Sequence, residues 1–138
     1  MNDVPHSLAR RHLRFGWYAL LGFALLGAGL EALHAFKVGF YLDVDSETRR
    51  LMWRLAHAHG VGLGLVNLGF AATLQQVRSE PRLERASACL IVASLLLPLG
   101  FLLGGIFATG GDPGLPILLV PLALPPLFAA LFWTARSL

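Results

Sequence analysis

Two histidines separated by a single alanine, His57 and His59 in the run Trp53-Arg54-Leu55-Ala56-His57-Ala58-His59-Gly60, lie where an apolar segment of membrane-spanning length begins. Glu31 and His34 stand near the end of the apolar segment before it. Ionisable side chains near a bilayer core are costly, so each needs a partner or a purpose. Imidazole and carboxylate are ligands for zinc, copper or iron, and imidazole also holds haem iron. Glutamate with histidine can instead relay protons, because histidine titrates near neutral pH and burial can bring a glutamate into range.

Helical spacing decides which of these groups can act together. Glu31 and His34 are three apart and share a face. His57 and His59 are two apart, about 200° around the axis, so they point to different sides and do not chelate one ion jointly. At most one of them looks toward Glu31 and His34; the other meets a neighbouring helix or another subunit. Two sites follow. One is a transition-metal site drawing on Glu31, His34 and either His57 or His59. The other is a b-type haem held by His34 with His57 or His59, with Gly27, Gly29, Gly60, Gly62 and Gly64 leaving room for the porphyrin. The bland alternative gives each histidine a carbonyl or Glu31 as partner, and pairs Glu31 with Lys37 or Arg54 at the interface.

The elements that must position these residues are read from composition. Of 138 residues, 56% are hydrophobic and only 14% charged, against roughly 25% charged in an ordinary soluble domain. The apolar residues fall in four blocks of about 20, the length that crosses ~30 Å of hydrocarbon. The chain therefore reads as all-α, a four-helix transmembrane bundle and a single integral membrane domain. Its expected spans are 15–36, 51–75, 86–108 and 115–135. Residues 1–14 read as a polar tail, in which His6 and His12 receive no role. The apolar part of span 1 is too long for a secretory signal, so it is kept as a retained helix.

Between spans 1 and 2, Asp45-Ser46-Glu47-Thr48 offers an N-cap followed by a carboxylate, so the second helix should start near Ser46 in water and enter the bilayer around Trp53. Residues 77–85 read as a charged turn broken by Pro81, and Thr109-Gly110-Gly111-Asp112-Pro113-Gly114 as a tight turn. Gly60 with Gly64, and Gly100 with Gly104, are small-residue pairs suited to close helix packing. Trp17, Tyr18, Tyr41, Trp53 and Trp133 fit interfacial aromatic belts.

The net charge of +3 does not imply nucleic acid, because the arginines flank apolar spans instead of forming one patch. Seven of the 11 basic residues (Arg10, Arg11, Arg14, Arg78, Arg82, Arg85 and Arg136) fall on one side. Lys37, Arg49, Arg50 and Arg54 fall on the other. The positive-inside rule then puts both termini in the cytoplasm, and Glu31, His34, His57 and His59 toward the outer face of a bacterial inner membrane. Lipid is the expected partner, with a homo-oligomer or larger membrane complex in second place.

The single cysteine, Cys89, allows no internal disulfide. The two hairpins show no internal repeat, which argues against an inverted-repeat transporter. No phosphate loop, nucleophile elbow, Cys-x-x-Cys-His or His-Glu-x-x-His occurs, so the sequence leans away from an enzyme.

The helix that begins His57-Ala58-His59-Gly60 and continues in small and apolar residues resembles the haem-bearing second helix of the catalytic subunit in haem–copper oxidases and nitric oxide reductases. The resemblance covers one stretch of that span and implies haem as a ligand. In those subunits later helices supply the partner haem ligand and the copper histidines. Spans 3 and 4 here contain no histidine, so oxidase activity is not implied. Two functional classes follow from the chain: a haem- or metal-binding membrane protein serving as an electron-transfer or accessory component, and a structural or assembly subunit. A small transporter or proton path stands third.

Overall fold

The computed structural model describes residues 3–77 and 80–138, with side chains from His6 onward. Five α-helices occupy most of that range: α1 (Asp3–Ala35), the single turn α2 (Gly39–Leu42), α3 (Glu47–Leu74), α4 (Pro81–Ile106) and α5 (Leu119–Ala135). Four of them, α1, α3, α4 and α5 with its preceding 3-10 turn, are long and apolar enough to cross a membrane. The all-α transmembrane bundle expected from composition is the fold.

The first boundary needs correction. Residues 3–14 are not a tail but the first turns of α1. The reason lies in the face that α1 turns inward. Ala9, His12, Gly16, Leu20, Phe23, Gly27, Leu30 and His34 follow one another at intervals of three or four, an unbroken helical stripe running through the basic segment. Arginine itself favours helix. At 33 residues, α1 is about 50 Å long, well beyond the ~30 Å hydrocarbon core. A basic N-terminal part can thus be helical and still reach the headgroups.

A Schellman motif ends α1. Val38 N–H donates to Leu33 O (3.0 Å) and Lys37 N–H to His34 O (3.1 Å). Lys37 adopts the left-handed conformation this requires, at φ 52°. The helix α3 starts at Glu47 after Ser46, as the sequence suggests, but Ser46 does not cap it through its side chain. Its hydroxyl donates instead to Phe40 O at 2.6 Å, closing the loop that contains α2. Arg50 donates to the carbonyls of Tyr41 and Asp43, and Arg49 to those of Phe40 and Gly105. Two of the four basic residues at this end thus serve to hold loop carbonyls.

Pro81 was expected to break the chain and instead opens α4 at its first turn, where a missing N–H costs nothing. Arg78, counted in that turn, lies outside the described residues. The Gly-rich turn is as tight as expected. Thr109 and Asp112 exchange backbone hydrogen bonds of 3.1 and 3.0 Å around Gly110 (φ 59°) and Gly111 (φ 86°), values that favour glycine.

The helices stand in a row. α1 packs on α3, α3 on α4 and α4 on α5. α3 and α4 are central, whereas α1 and α5 flank them with most of their surface exposed. At the end carrying the chain termini, one core joins all four helices through Ala9, Phe70, Ala71, Leu74, Leu83, Ala86, Leu90 and Ala130.

The contact between α1 and α3 is built from glycines facing large side chains. A Cβ on Gly60 would lie 2.2 Å from the Phe23 ring, and one on Gly27 would lie 2.4 Å from His57 Cε1. A Cβ on Gly16 would meet Leu68 at 2.7 Å and Gly64 O at 2.9 Å. Gly100 lets α4 approach Val120 of α5 in the same way. These close approaches replace the hydrophobic drive that lipid does not supply between helices.

Candidate functional site

The two histidines of α3 part company as their spacing requires. His57 turns to α1, where its Nδ1 lies 2.6 Å from Phe23 O. A carbonyl only accepts, so Nδ1 carries a proton and donates, which leaves Nε2 for another partner. No hydrogen bond to Nε2 is made among the described residues. His59 turns to α4. Its ring stacks on Phe101 with centroids 4.9 Å apart, and its Nδ1–H donates to Leu55 O of its own helix at 2.9 Å.

A cleft of about 540 Å³ opens between α1 and α3 near the first loop. Its lining brings Glu31, His34 and His57 together with Arg54 and Tyr41, over a floor of Ala24, Gly27, Ala28 and Leu30. Tyr41 and Leu30 are buried, whereas Glu31, His34 and Arg54 are exposed and free to reorient. Glu31 forms no ion pair with Lys37 or Arg54 among the described residues. His59 lies outside this cleft.

The chemistry open to the cleft follows from these donors. One imidazole is held in a defined tautomer by a backbone carbonyl, an arrangement that metal-ligating histidines commonly show. A carboxylate and a second imidazole are nearby on α1. Among the described residues, no three histidine, cysteine, aspartate or glutamate side chains stand close enough to grip a metal ion as they are placed. The glycines expected to make room for a porphyrin are mostly filled: Gly27 by His57, Gly60 by Phe23 and Gly64 by Leu20. Gly29 and Gly62 face open space. The available volume is therefore the open cleft near the first loop, beside these close contacts.

A second polar cluster lies toward the opposite end of the helices and was missed from the sequence. His12, assigned to the tail, is fully buried, as are Asn67 and Ser87, and Ser94 is 5% exposed. Asn67 Nδ2 donates to Leu63 O and to Ser94 Oγ, both at 2.8 Å. That orientation turns Oδ1 toward His12, whose Nδ1–H donates to it at 2.6 Å. His12 Nε2 then accepts from the Ser87 hydroxyl at 2.7 Å, and Ser87 Oγ in turn accepts from Arg11. The Phe70 ring closes the site edge-on to His12, at 4.6 Å between centroids.

These bonds form a chain that runs through α1, α3 and α4. No buried side-chain nitrogen or oxygen is left without a partner among the described residues. A satisfied network of this kind fixes which helices meet and in what register. The signal for it was the place of His12 in the inward stripe of α1, facing the one asparagine of α3.

No protein-family model, curated protein or solved structure matches the chain. The functional reading rests on the residues themselves.

Proposed function

We propose that the chain is a haem-binding membrane protein, an electron-transfer or accessory component whose ligand sits in the cleft between α1 and α3. The observation that carries this is His57, with its Nδ1–H bound to Phe23 O and its Nε2 without a hydrogen-bond partner among the described residues, in the same cleft as His34. A free transition-metal ion asks for three or four protein donors, whereas haem brings four of its own and needs only one or two imidazoles. The donor set here suits haem better. His57 and His34 would hold the iron, and Arg54 would receive a propionate. The bound group would supply one-electron chemistry. Glu31, beside His34 on α1, would set the charge near the iron.

The orientation that goes with this reading has both termini in the cytoplasm and the cleft toward the outer face, from the distribution of arginine and lysine. A structural or assembly role for the hairpin is the second reading. It is favoured by His59, whose proton is spent on its own helix and whose ring packs on Phe101.

An absorption spectrum of the detergent-purified protein, expressed with added haem precursor and paired with iron analysis, tests the proposal. A Soret band is expected, lost in His57→Ala and displaced or lost in His34→Ala, and retained in His59→Ala. A colourless, iron-free protein that also leaves added haem unbound would sink the cofactor reading and leave the structural one.

A further inference from the structure

The face of α1 that turns away from α3 carries a second kind of site. Arg10, Arg14, Tyr18, Leu21 and Leu25 form one exposed stripe at intervals of three or four, with Trp17 exposed beside it three residues after Arg14. Its polar part is a hollow of about 490 Å³ lined, among the described residues, by Arg10, Arg11 and Arg14 with His6 and Ser7. An apolar slot of about 460 Å³ adjoins it, lined by Leu13, Trp17, Tyr18 and Leu21, and the two share Arg14. Arg10 and Arg14 make no ion pair among the described residues. Trp17 is 64% exposed and Tyr18 75%, large fractions for side chains at the mouth of a slot.

We infer that this face binds one anionic phospholipid, its phosphate between Arg10 and Arg14 and an acyl chain along Trp17, Leu21 and Leu25. Charge and length both argue for it. A guanidinium pair offers several N–H donors to phosphate oxygens in a geometry they match, whereas a zwitterionic headgroup brings its own cation into the same hollow. From Arg14 to Leu25 the stripe runs about 16 Å along the helix, close to the ~15 Å depth of one leaflet. Aromatic rings at Trp17 and Tyr18 stand where headgroup gives way to chain. The other basic pair at this end of the bundle, Arg82 and Arg85, lines a hollow that also holds the carboxylate of Glu80.

The test titrates the delipidated full chain in detergent with phosphatidylglycerol or phosphatidylcholine of matched chains, and reads bound lipid by native mass spectrometry. One phosphatidylglycerol is expected at concentrations where phosphatidylcholine is not retained. Replacing Arg10→Gln and Arg14→Gln together should weaken it by about fivefold per guanidinium, with little change for phosphatidylcholine. The pair Arg82→Gln and Arg85→Gln, which removes the same charge nearby, should leave it within twofold.

Equal losses in the two double variants would assign the effect to diffuse charge and overturn the site. So would equal retention of the two lipids by the unmodified protein. Inorganic phosphate alone is a separate arm: if excess phosphate displaces the lipid and binds in an Arg10- and Arg14-dependent way, the ligand is a free anion and the lipid assignment fails. Should the Arg10 and Arg14 variant not fold, the unmodified protein still decides. Brominated phosphatidylglycerol should quench its tryptophan emission more than brominated phosphatidylcholine at equal mole fraction, and equal quenching refutes the preference.

Discussion

The chain of hydrogen bonds from Arg11 to Ser94 makes a quantitative prediction about how α1 is held. Asn67→Ala removes the acceptor of His12 Nδ1–H and the donor to Ser94 Oγ, two interhelical bonds made by a fully buried side chain. Interhelical hydrogen bonds in a bilayer are worth about 0.6 kcal/mol on average and up to about 1.7. A buried donor left without a partner costs roughly 1–3 kcal/mol. The expected loss for Asn67→Ala is therefore on the order of 1–3 kcal/mol. His12→Ala should cost a similar amount, since it frees both Asn67 Oδ1 and the Ser87 hydroxyl.

The two losses should not add. Once His12 is gone, Asn67 Oδ1 has already lost its partner, so the double variant should lose about 1 kcal/mol less than the sum of the two single losses. The assay is equilibrium unfolding of the purified protein by increasing sodium dodecyl sulfate in mixed micelles, followed by tryptophan emission and helical circular dichroism. Gly22→Ala, which meets nothing within 4 Å and touches no hydrogen bond of the chain, serves as the uncoupled partner for a control cycle with Asn67→Ala. Additivity within about 0.5 kcal/mol for His12 and Asn67 would refute the tautomer and donor assignments, whatever the single losses are.

Four further outcomes are expected. Gly60→Ala drives a methyl into the Phe23 ring, where a Cβ would stand at 2.2 Å, and should destabilise by about 1–3 kcal/mol. Gly22→Ala and Gly62→Ala meet nothing within 4 Å and should stabilise by about 0.5–1 kcal/mol through helix propensity, so the same unfolding assay should show opposite signs. Lys37→Gly relieves a left-handed lysine at φ 52° and should stabilise by up to about 1 kcal/mol, with unchanged helix content; a loss would mean that the Schellman end of α1 is misassigned. An enzyme reporter active only in the periplasm should stay silent when fused after Leu138, and a strong signal there would reverse the proposed topology.

How much of this was legible in the sequence depended on which physical signal carried it. The four spans were plain because apolar runs of that length have one economical explanation. The divergence of His57 and His59 was plain because a spacing of two cannot share a helix face, and the structure sends one to Phe23 O and the other to Phe101. Which of the two turns to α1 was not, since the rotation of α3 is set by where Gly60 and Gly64 admit Phe23 and Leu20. The start of α1 was misjudged for a related reason. Charge and composition separate Arg10-Arg11-His12 from the apolar block, while the interval of three and four from Ala9 to His34 joins them.

That difference bears on how ionisable residues in such a chain should be weighed. The histidines that drew attention sit at the loop end, two of them in a cleft with exposed neighbours and one bound to its own helix. The histidine that drew none is the one committed on both nitrogens. A group with every hydrogen bond assigned and no exposure has no capacity left for a ligand, so His12 belongs to the architecture. His57 has no hydrogen bond on Nε2 among the described residues, and Glu31 and His34 line the same cleft. On the proposed reading the ligand lies in the cleft, and the His12 and Asn67 lock joins the same two helices at their other end. A variant that loosens the His12 and Asn67 lock should consequently weaken ligand retention in the cleft without touching any of its lining residues. If Asn67→Ala binds as tightly as the unmodified protein while losing stability, the two ends are independent and the cleft is held by its own glycine contacts alone.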